Sequence, residues 1–212
     1  MSRNIVDFVY KILMVGDLGV GKSSIIERLI FNRYNPDIEG TIGVEFGTKI
    51  LVVPDIQDKI KMQIWDTSGN VTFRRIISTY FESAIGAVLV YDVKNQNSFR
   101  NLDEWSKRLS ERGVKHFVVV GNKCEKGTEL VVSEKELKDF CKSIKAEHFY
   151  YSAVEVTNAE EIFKTLMRKI NRSYISFPHL YETHQGIRRS KNGTYYVRMD
   201  DEKEKKKCCT IL

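Results

Sequence analysis

Gly16-Asp17-Leu18-Gly19-Val20-Gly21-Lys22-Ser23 fits the spacing G-x-x-x-x-G-K-[ST], and residues of these types suit one kind of chemistry, the holding of phosphate. The flanking glycines let the backbone turn so that successive N–H groups face inward as an anion-binding concavity, and a following helix adds partial positive charge. Lys22 is then within reach of β- and γ-phosphate oxygens, and the Ser23 hydroxyl is a ligand for Mg²⁺. With Gly at about 7% of residues, chance supplies such a pattern in roughly one chain in a hundred of this length. The motif predicts that a nucleoside di- or triphosphate is bound.

The surrounding elements strengthen that reading. Residues 6–15 read as a buried strand leading into the loop, and a helix runs from it to about Asn32. Residues 41–53 and 59–65 are β-rich, and the short polar turn between them predicts an antiparallel hairpin. Residues 84–91 and 116–120 are buried-strand runs, and helices are expected over 98–111, 134–143 and 159–174. Ser133 with Glu136, and Thr157 with Glu160, have capping-box spacing. Ile162, Leu166 and Ile170, with Phe163 and Met167 beside them, give the last helix one core-facing stripe. Strands alternating with helices imply a mostly parallel sheet covered on both faces, with the ligand at the carboxyl ends of the strands, where Gly16 begins.

Composition bounds the rest. The 212 residues suit one domain, and 42% hydrophobic content suffices for its core. No apolar run is long enough to span a membrane, and Ser2 offers no glycine for myristoylation. The four cysteines have no disulfide-framework spacing, so a reducing, cytosolic setting is the simpler reading. Of the net charge of +6, residues 171–212 carry +4, from nine Lys/Arg against five Asp/Glu. A nearly neutral body with a basic tail points to an anionic membrane surface more than to a nucleic acid.

Further motifs stand in order along the chain: Thr41 before the second strand, Trp65-Asp66-Thr67-Ser68-Gly69 after the third, and Gly121-Asn122-Lys123-Cys124-Glu125 after residue 116. Together with the phosphate loop they resemble the motif set of Ras-superfamily small GTPases. Ile42-Gly43-Val44-Glu45-Phe46, Lys61-Met62-Gln63-Ile64-Trp65, Phe73-Arg74-Arg75-Ile76 and Tyr80-Phe81-Glu82 look more narrowly like the signature segments of the Rab subfamily. The resemblance covers about residues 8–174. It implies a P-loop small G domain over 1–174, with a mostly parallel six-stranded sheet, one antiparallel strand and helices on both faces.

The resemblance also implies roles. Gly16 to Ser24 would cradle the phosphates of GTP or GDP, with Ser23, Thr41 and Asp66 holding Mg²⁺. Thr41 and the Gly69 N–H would contact the γ-phosphate, and losing it would release both loops. Asn122, Lys123 and Glu125, with Ser152, Ala153 and Val154, would frame the guanine. Tyr34, seven residues before Thr41, would pack over the nucleotide edge or merely within its own loop; both readings stand. The implied partners are an exchange factor, a GTPase-activating protein, effectors, the prenylation machinery and a GDP-dissociation inhibitor.

This chain departs from the family pattern at several points. Asn70 stands where a Gln usually orients the attacking water, and its amide falls about 1.5 Å short. Leu18 stands where a small residue is usual, crowding the side where an activator's Arg enters. Val71-Thr72 replaces Glu-Arg. Slow hydrolysis and poor response to activators are therefore expected; a Gln supplied in trans would offset Asn70 but not the bulk of Leu18. Glu125 replaces an Asp and Val154 a Lys, so guanine binding is expected to persist but weaken.

The end of the chain carries the second strong signal. Cys209-Thr210-Ile211-Leu212 fits C-a-a-X with a final Leu favouring geranylgeranyl, and Cys208 makes the tandem pair typical of Rab tails. Lys205-Lys206-Lys207 precedes it. Residues 175–212 are expected to be a flexible linker holding the body ~30 Å from the cytoplasmic face of an endomembrane or plasma membrane, with a cytosolic pool. Two readings follow: a Rab-like switch enzyme that recruits effectors in vesicular traffic, and a non-cycling nucleotide-binding module on the same fold.

Overall fold

The structure is a computed structural model that describes residues 5–53, 58–70, 77–155, 158–176, 187–189 and 195–196. Its strands are Ile5–Val6 (β1), Phe8–Val15 (β2), Val44–Val53 (β3), Asp58–Thr67 (β4), Gly86–Asp92 (β5), His116–Asn122 (β6) and Glu147–Tyr150 (β7). Its helices are Lys22–Phe31 (α1), Gln96–Arg100 (α2), Leu102–Glu111 (α3), Glu134–Ser143 (α4) and Ala159–Ser176 (α5), with a 3₁₀ turn at Ser78–Phe81.

The main sheet runs β3-β4-β2-β5-β6-β7. β3 and β4 pair antiparallel, Val44 opposite Thr67 and Val53 opposite Asp58, and the other neighbours along that order pair parallel. This is the expected six-stranded mixed sheet. The turn between β3 and β4 falls on 54–57, outside the described residues. β5 and β6 are buried almost throughout, which explains their continuous apolar runs, since crossover helices cover both faces of a parallel sheet.

Each face has its own core. On one, Ile12, Met14, Ile64, Val88 and Val120 meet Ile25 and Leu29 of α1 and Ile162, Phe163, Leu166, Met167 and Ile170 of α5. The predicted stripe of the last helix is thus its buried face, each large side chain worth about 1.5–3 kcal/mol of transfer free energy. On the other, Leu13, Leu89, Tyr91 and Val119 meet Phe99, Trp105, Leu109 and Leu137 from α2, α3 and α4.

Several elements differ from expectation. The helix foreseen over 98–111 begins earlier and is broken: Asn95 Oδ1 accepts from the amides of Asn97 and Ser98, starting α2, and the chain turns at Asn101 before α3. Asparagine is a weak helix former, and the Asn101 amide is committed to a distant partner, Asp17. Ser133 and Glu136 form the expected capping box on α4. Thr157 lies outside the described residues, and the Glu160 amide at the start of α5 donates to Asn158 Oδ1 at 3.0 Å.

Two short strands also lie within the segment expected to be a linker. Ile187–Arg189 (β8) pairs antiparallel with β2, Phe8 opposite Arg189 and Tyr10 opposite Ile187. Tyr195–Tyr196 (β9) pairs antiparallel with β1. β8 fits where it does because β5 meets β2 only from Ile12 onward, leaving that side of Phe8–Tyr10 with unpaired backbone groups.

Candidate functional site

β2, β4, β5 and β6 run parallel, so the loops at their carboxyl ends gather at one edge of the sheet. A cleft there is lined by Leu18, Lys22, Ser23, Tyr34, Thr41, Gly69 and Lys123, among others.

The loop after β2 turns through Gly16 (φ 148), Gly19 (φ 77) and Gly21 (φ 91), conformations that L side chains rarely adopt. Val20 and Ser24 are buried beneath it. Lys22 opens α1, is buried, and its ammonium donates to the carbonyls of Gly16 (3.0 Å) and Asp17 (2.9 Å). Burial pulls its pKa down to about 8 against the opposing effect of Asp66 and Asp17, so a buried ammonium stands ready for an anion that would offset its lost hydration. The Asp17 carboxylate accepts from Asn101 Nδ2 (2.6 Å) and Trp105 Nε1 (3.0 Å).

Three oxygen-bearing side chains from different elements converge beside Lys22. Ser23 Oγ and Thr41 Oγ1 are 3.0 Å apart; Thr41 donates to Asp66 Oδ2 at 3.3 Å, and Ser23 donates to the same oxygen. Asp66 is buried, its pKa raised to about 6 by that burial, and its Oδ1 has no hydrogen-bond partner. Hydroxyls and a carboxylate with an unsatisfied buried oxygen are the donor set of a hard divalent cation, so these residues fit Mg²⁺.

Gly69 closes the cleft: a Cβ there would lie 2.2 Å from both the Asp17 carbonyl carbon and the Leu18 nitrogen. The Asn70 backbone N–H donates to Ser68 Oγ at 3.3 Å, while Val71 and Thr72 lie outside the described residues. Leu18 is 59% exposed and lines the mouth with Tyr34, Ile38 and Gly40.

At the other end, Asn122 is buried and its amide donates to the Val20 carbonyl at 2.9 Å, bracing the phosphate loop. Lys123 takes φ 65 and its ammonium pairs with Asp92 at 2.7 Å. Glu125 accepts from Ser152 Oγ (3.1 Å) and from Lys94 Nζ (2.8 Å). Ser152 and Ala153 are buried and Val154 is half exposed. Arg28 of α1 donates to the carbonyls of Ala153 (2.7 Å) and Val154 (3.0 Å), and its guanidinium lies 5.9 Å from the Tyr34 ring centre.

Of the sequence-predicted residues, Leu18, Gly19, Gly21, Lys22, Ser23, Ser24, Tyr34, Thr41, Gly69 and Lys123 line this cleft, Asp66 is bonded to Ser23 and Thr41 of that lining, and Glu125 and Ser152 bond to each other outside it; Cys208 and Cys209 lie outside the described residues. Sequence reasoning missed Arg28, Lys94, Asn101 and Trp105. None of these sits in a motif, and each acts on a residue far along the chain.

The model of the Ras family matches residues 11–172. The chain is 39% identical over 168 residues to the GTP-binding protein ypt3 of Schizosaccharomyces pombe, covering 78% of each. It is 36% identical over 167 residues to the Ras-related protein Rab11A of Lotus japonicus, covering 78% of this chain and 73% of that one. It is 33% identical over 205 residues to the Ras-related protein rab-11.1 of Caenorhabditis elegans, covering 96% and 95%.

Proposed function

This chain belongs to the Ras family of small GTPases, in its Rab group, and from that premise we propose how its cleft works and where it departs from its relatives. The protein is a GTP hydrolase of the kind that serves vesicular traffic as a nucleotide-dependent switch.

We infer that the phosphates lie on the turn from Gly16 to Ser24, with the Lys22 ammonium on the β- and γ-phosphate oxygens. Ser23, Thr41 and Asp66 would hold Mg²⁺, which neutralises charge between those phosphates. The convergence of these three side chains beside a buried lysine is the observation that carries the reading. Thr41 and the Gly69 N–H contact the γ-phosphate, so its loss frees both loops at once. The base lies between Lys123 and the loop at Ser152–Val154, with the Ala153 N–H toward the guanine oxygen and Glu125 toward N1–H and the exocyclic amine. Tyr34, held near Arg28, covers the nucleotide edge.

Hydrolysis requires the attacking water to be held in line with the leaving oxygen. Asn70 supplies that amide from a side chain one methylene short, and Leu18 occupies the mouth where an activator's Arg would enter. We therefore propose slow turnover. The same two residues support the second reading, a module that keeps GTP and recruits without cycling.

Ile42 is largely exposed and Phe46 half exposed, the latter packed edge-on against Trp65 at 5.2 Å. This apolar face adjoins Thr41, so a partner seated there would sense the γ-phosphate, as an effector or an activator must; an exchange factor would bind the same face to free the nucleotide. Among the described residues no helix is long and apolar enough to cross a membrane. Attachment is proposed through geranylgeranylation of Cys208 and Cys209 beside the basic run Lys205 to Lys207, which a GDP-dissociation inhibitor would reverse.

The test is to purify the protein from cells and identify its bound nucleotide by chromatography. Mostly GTP supports slow hydrolysis; mostly GDP overturns it. An empty pocket would indict Glu125 and Val154, and an adenine nucleotide would overturn the base assignment.

A further inference from the structure

Glu125 stands one methylene further from its backbone than the Asp usual at this position, and a longer side chain has one more bond to immobilise before it reads a base. Both carboxylate oxygens are nevertheless held. Ser152 Oγ donates to Oε1 at 3.1 Å and Lys94 Nζ donates to Oε2 at 2.8 Å. The first donor comes from the loop after β7 and the second from the turn after β5, so the carboxylate is gripped by two separate elements.

The turn that carries Lys94 is itself fixed. The Lys94 amide donates to Asp92 Oδ1 at 2.9 Å, and the Asn95 amide to the Asp92 carbonyl at 2.9 Å. The other Asp92 oxygen pairs with Lys123 at 2.7 Å. One carboxylate therefore sets the positions of the lysine beside the base and of the lysine that grips Glu125.

We propose that Lys94 is a specificity-determining positioning residue, which holds the Glu125 carboxylate so that this longer side chain reads guanine in place of an Asp. The proposal rests on Glu125 being the base-reading group. An ionised carboxylate has about four acceptor sites. Lys94 and Ser152 fill one on each oxygen, leaving one on each for the N1–H and the exocyclic amine. The Lys94 contact also holds the Glu125 carboxyl below the usual carboxylate range, in its acceptor-only form. The lysine side chain is 52% exposed, so the pair adds little to global stability, and its effect falls on the geometry of the carboxylate.

The experiment measures equilibrium affinity for GDP and for inosine diphosphate, which lacks the exocyclic amine. The proteins are the wild type, Lys94→Thr, Glu125→Asp, the double variant and Glu125→Ala, with a thermal melt of each. Lys94→Thr is expected to weaken GDP about fivefold and to narrow the GDP-to-inosine ratio, with melting unchanged. In the Glu125→Asp background the same change is expected to cost less than about twofold, because the shorter carboxylate needs no grip. Tighter GDP binding in Lys94→Thr would overturn the proposal, since Lys94 would then compete with the base. Equal losses for both nucleotides, or the same loss in both backgrounds, would overturn it too. If the wild type binds the two nucleotides alike and Glu125→Ala changes nothing, the base-reading assignment itself fails, an outcome distinct from all the others.

Discussion

Trp105 donates its indole N–H to the carboxylate of Asp17 at 3.0 Å, tying the second residue of the phosphate loop to the middle of α3. Asn101, in the turn just before α3, holds the other oxygen at 2.6 Å, so the loop is braced by two donors, one from the helix and one from its start. Trp105→Phe keeps the packing and deletes one donor. A hydrogen bond to a charged group is worth about 1.5–3 kcal/mol, so thermal stability should fall by about that much. Release of a fluorescent GDP analogue should quicken several-fold, by about 1 kcal/mol of barrier. Unchanged release would mean that the brace does not hold the loop.

Arg28 makes the corresponding tie at the base end, through the carbonyls of Ala153 and Val154. Arg28→Met keeps much of the stem and removes both donors. Nucleotide dissociation should accelerate about tenfold, or ~1.4 kcal/mol, while single-turnover hydrolysis of GTP already bound stays the same. Stopped-flow release set beside single-turnover phosphate production separates the two.

Asn70 and Leu18 should be separable in the chemical step. Asn70→Gln restores reach and is expected to raise intrinsic hydrolysis about tenfold, or ~1.4 kcal/mol of barrier. Leu18→Ser opens the mouth and should act chiefly on the response to an added activator. Both are read from single-turnover phosphate release, and a flat response in Asn70→Gln would show that water positioning is not the limiting defect.

His148 provides a pH test away from the cleft. Burial lowers its pKa to about 4, and its Nε2 lies 3.2 Å from the Tyr91 hydroxyl. An unfolded histidine titrates near ~6.5, so between those values the unfolded state binds the extra proton. Stability is therefore full above about pH 6.5 and falls as pH drops toward 4, by up to about 3 kcal/mol from this residue. Denaturant melts across that window should show the slope, and His148→Gln should flatten it.

The phosphate loop was legible because its glycines answer to local geometry: Gly16, Gly19 and Gly21 take positive φ within a single turn. The α5 stripe was legible because helical period alone fixes which side is buried. β7 was not foreseen: its end residues are exposed and it lies at the sheet's edge, so no alternation of buried and polar residues marks it. The braces on Asp17 and the base loop escaped for a different reason. Trp105 reads as a core residue and Arg28 as a surface one; their partners lie 88 and 125 residues away, a relation that only the folded sheet creates.

β8 joins the amino-terminal end of β2, whereas the phosphate loop leaves its carboxyl-terminal end. Taken as a leash, the chain beyond β9 is short: about a dozen residues separate Tyr196 from Cys208, a contour of at most ~40 Å. A pull from a lipid attached there would reach β9 and β8 before it reached α5. Two- and three-residue strands hold few backbone bonds, so they would yield early under load, before the longer strands of the main sheet. With the lipid anchor proposed above, the body would then have two stand-off distances from a membrane, a close one with these strands seated and a far one with them peeled.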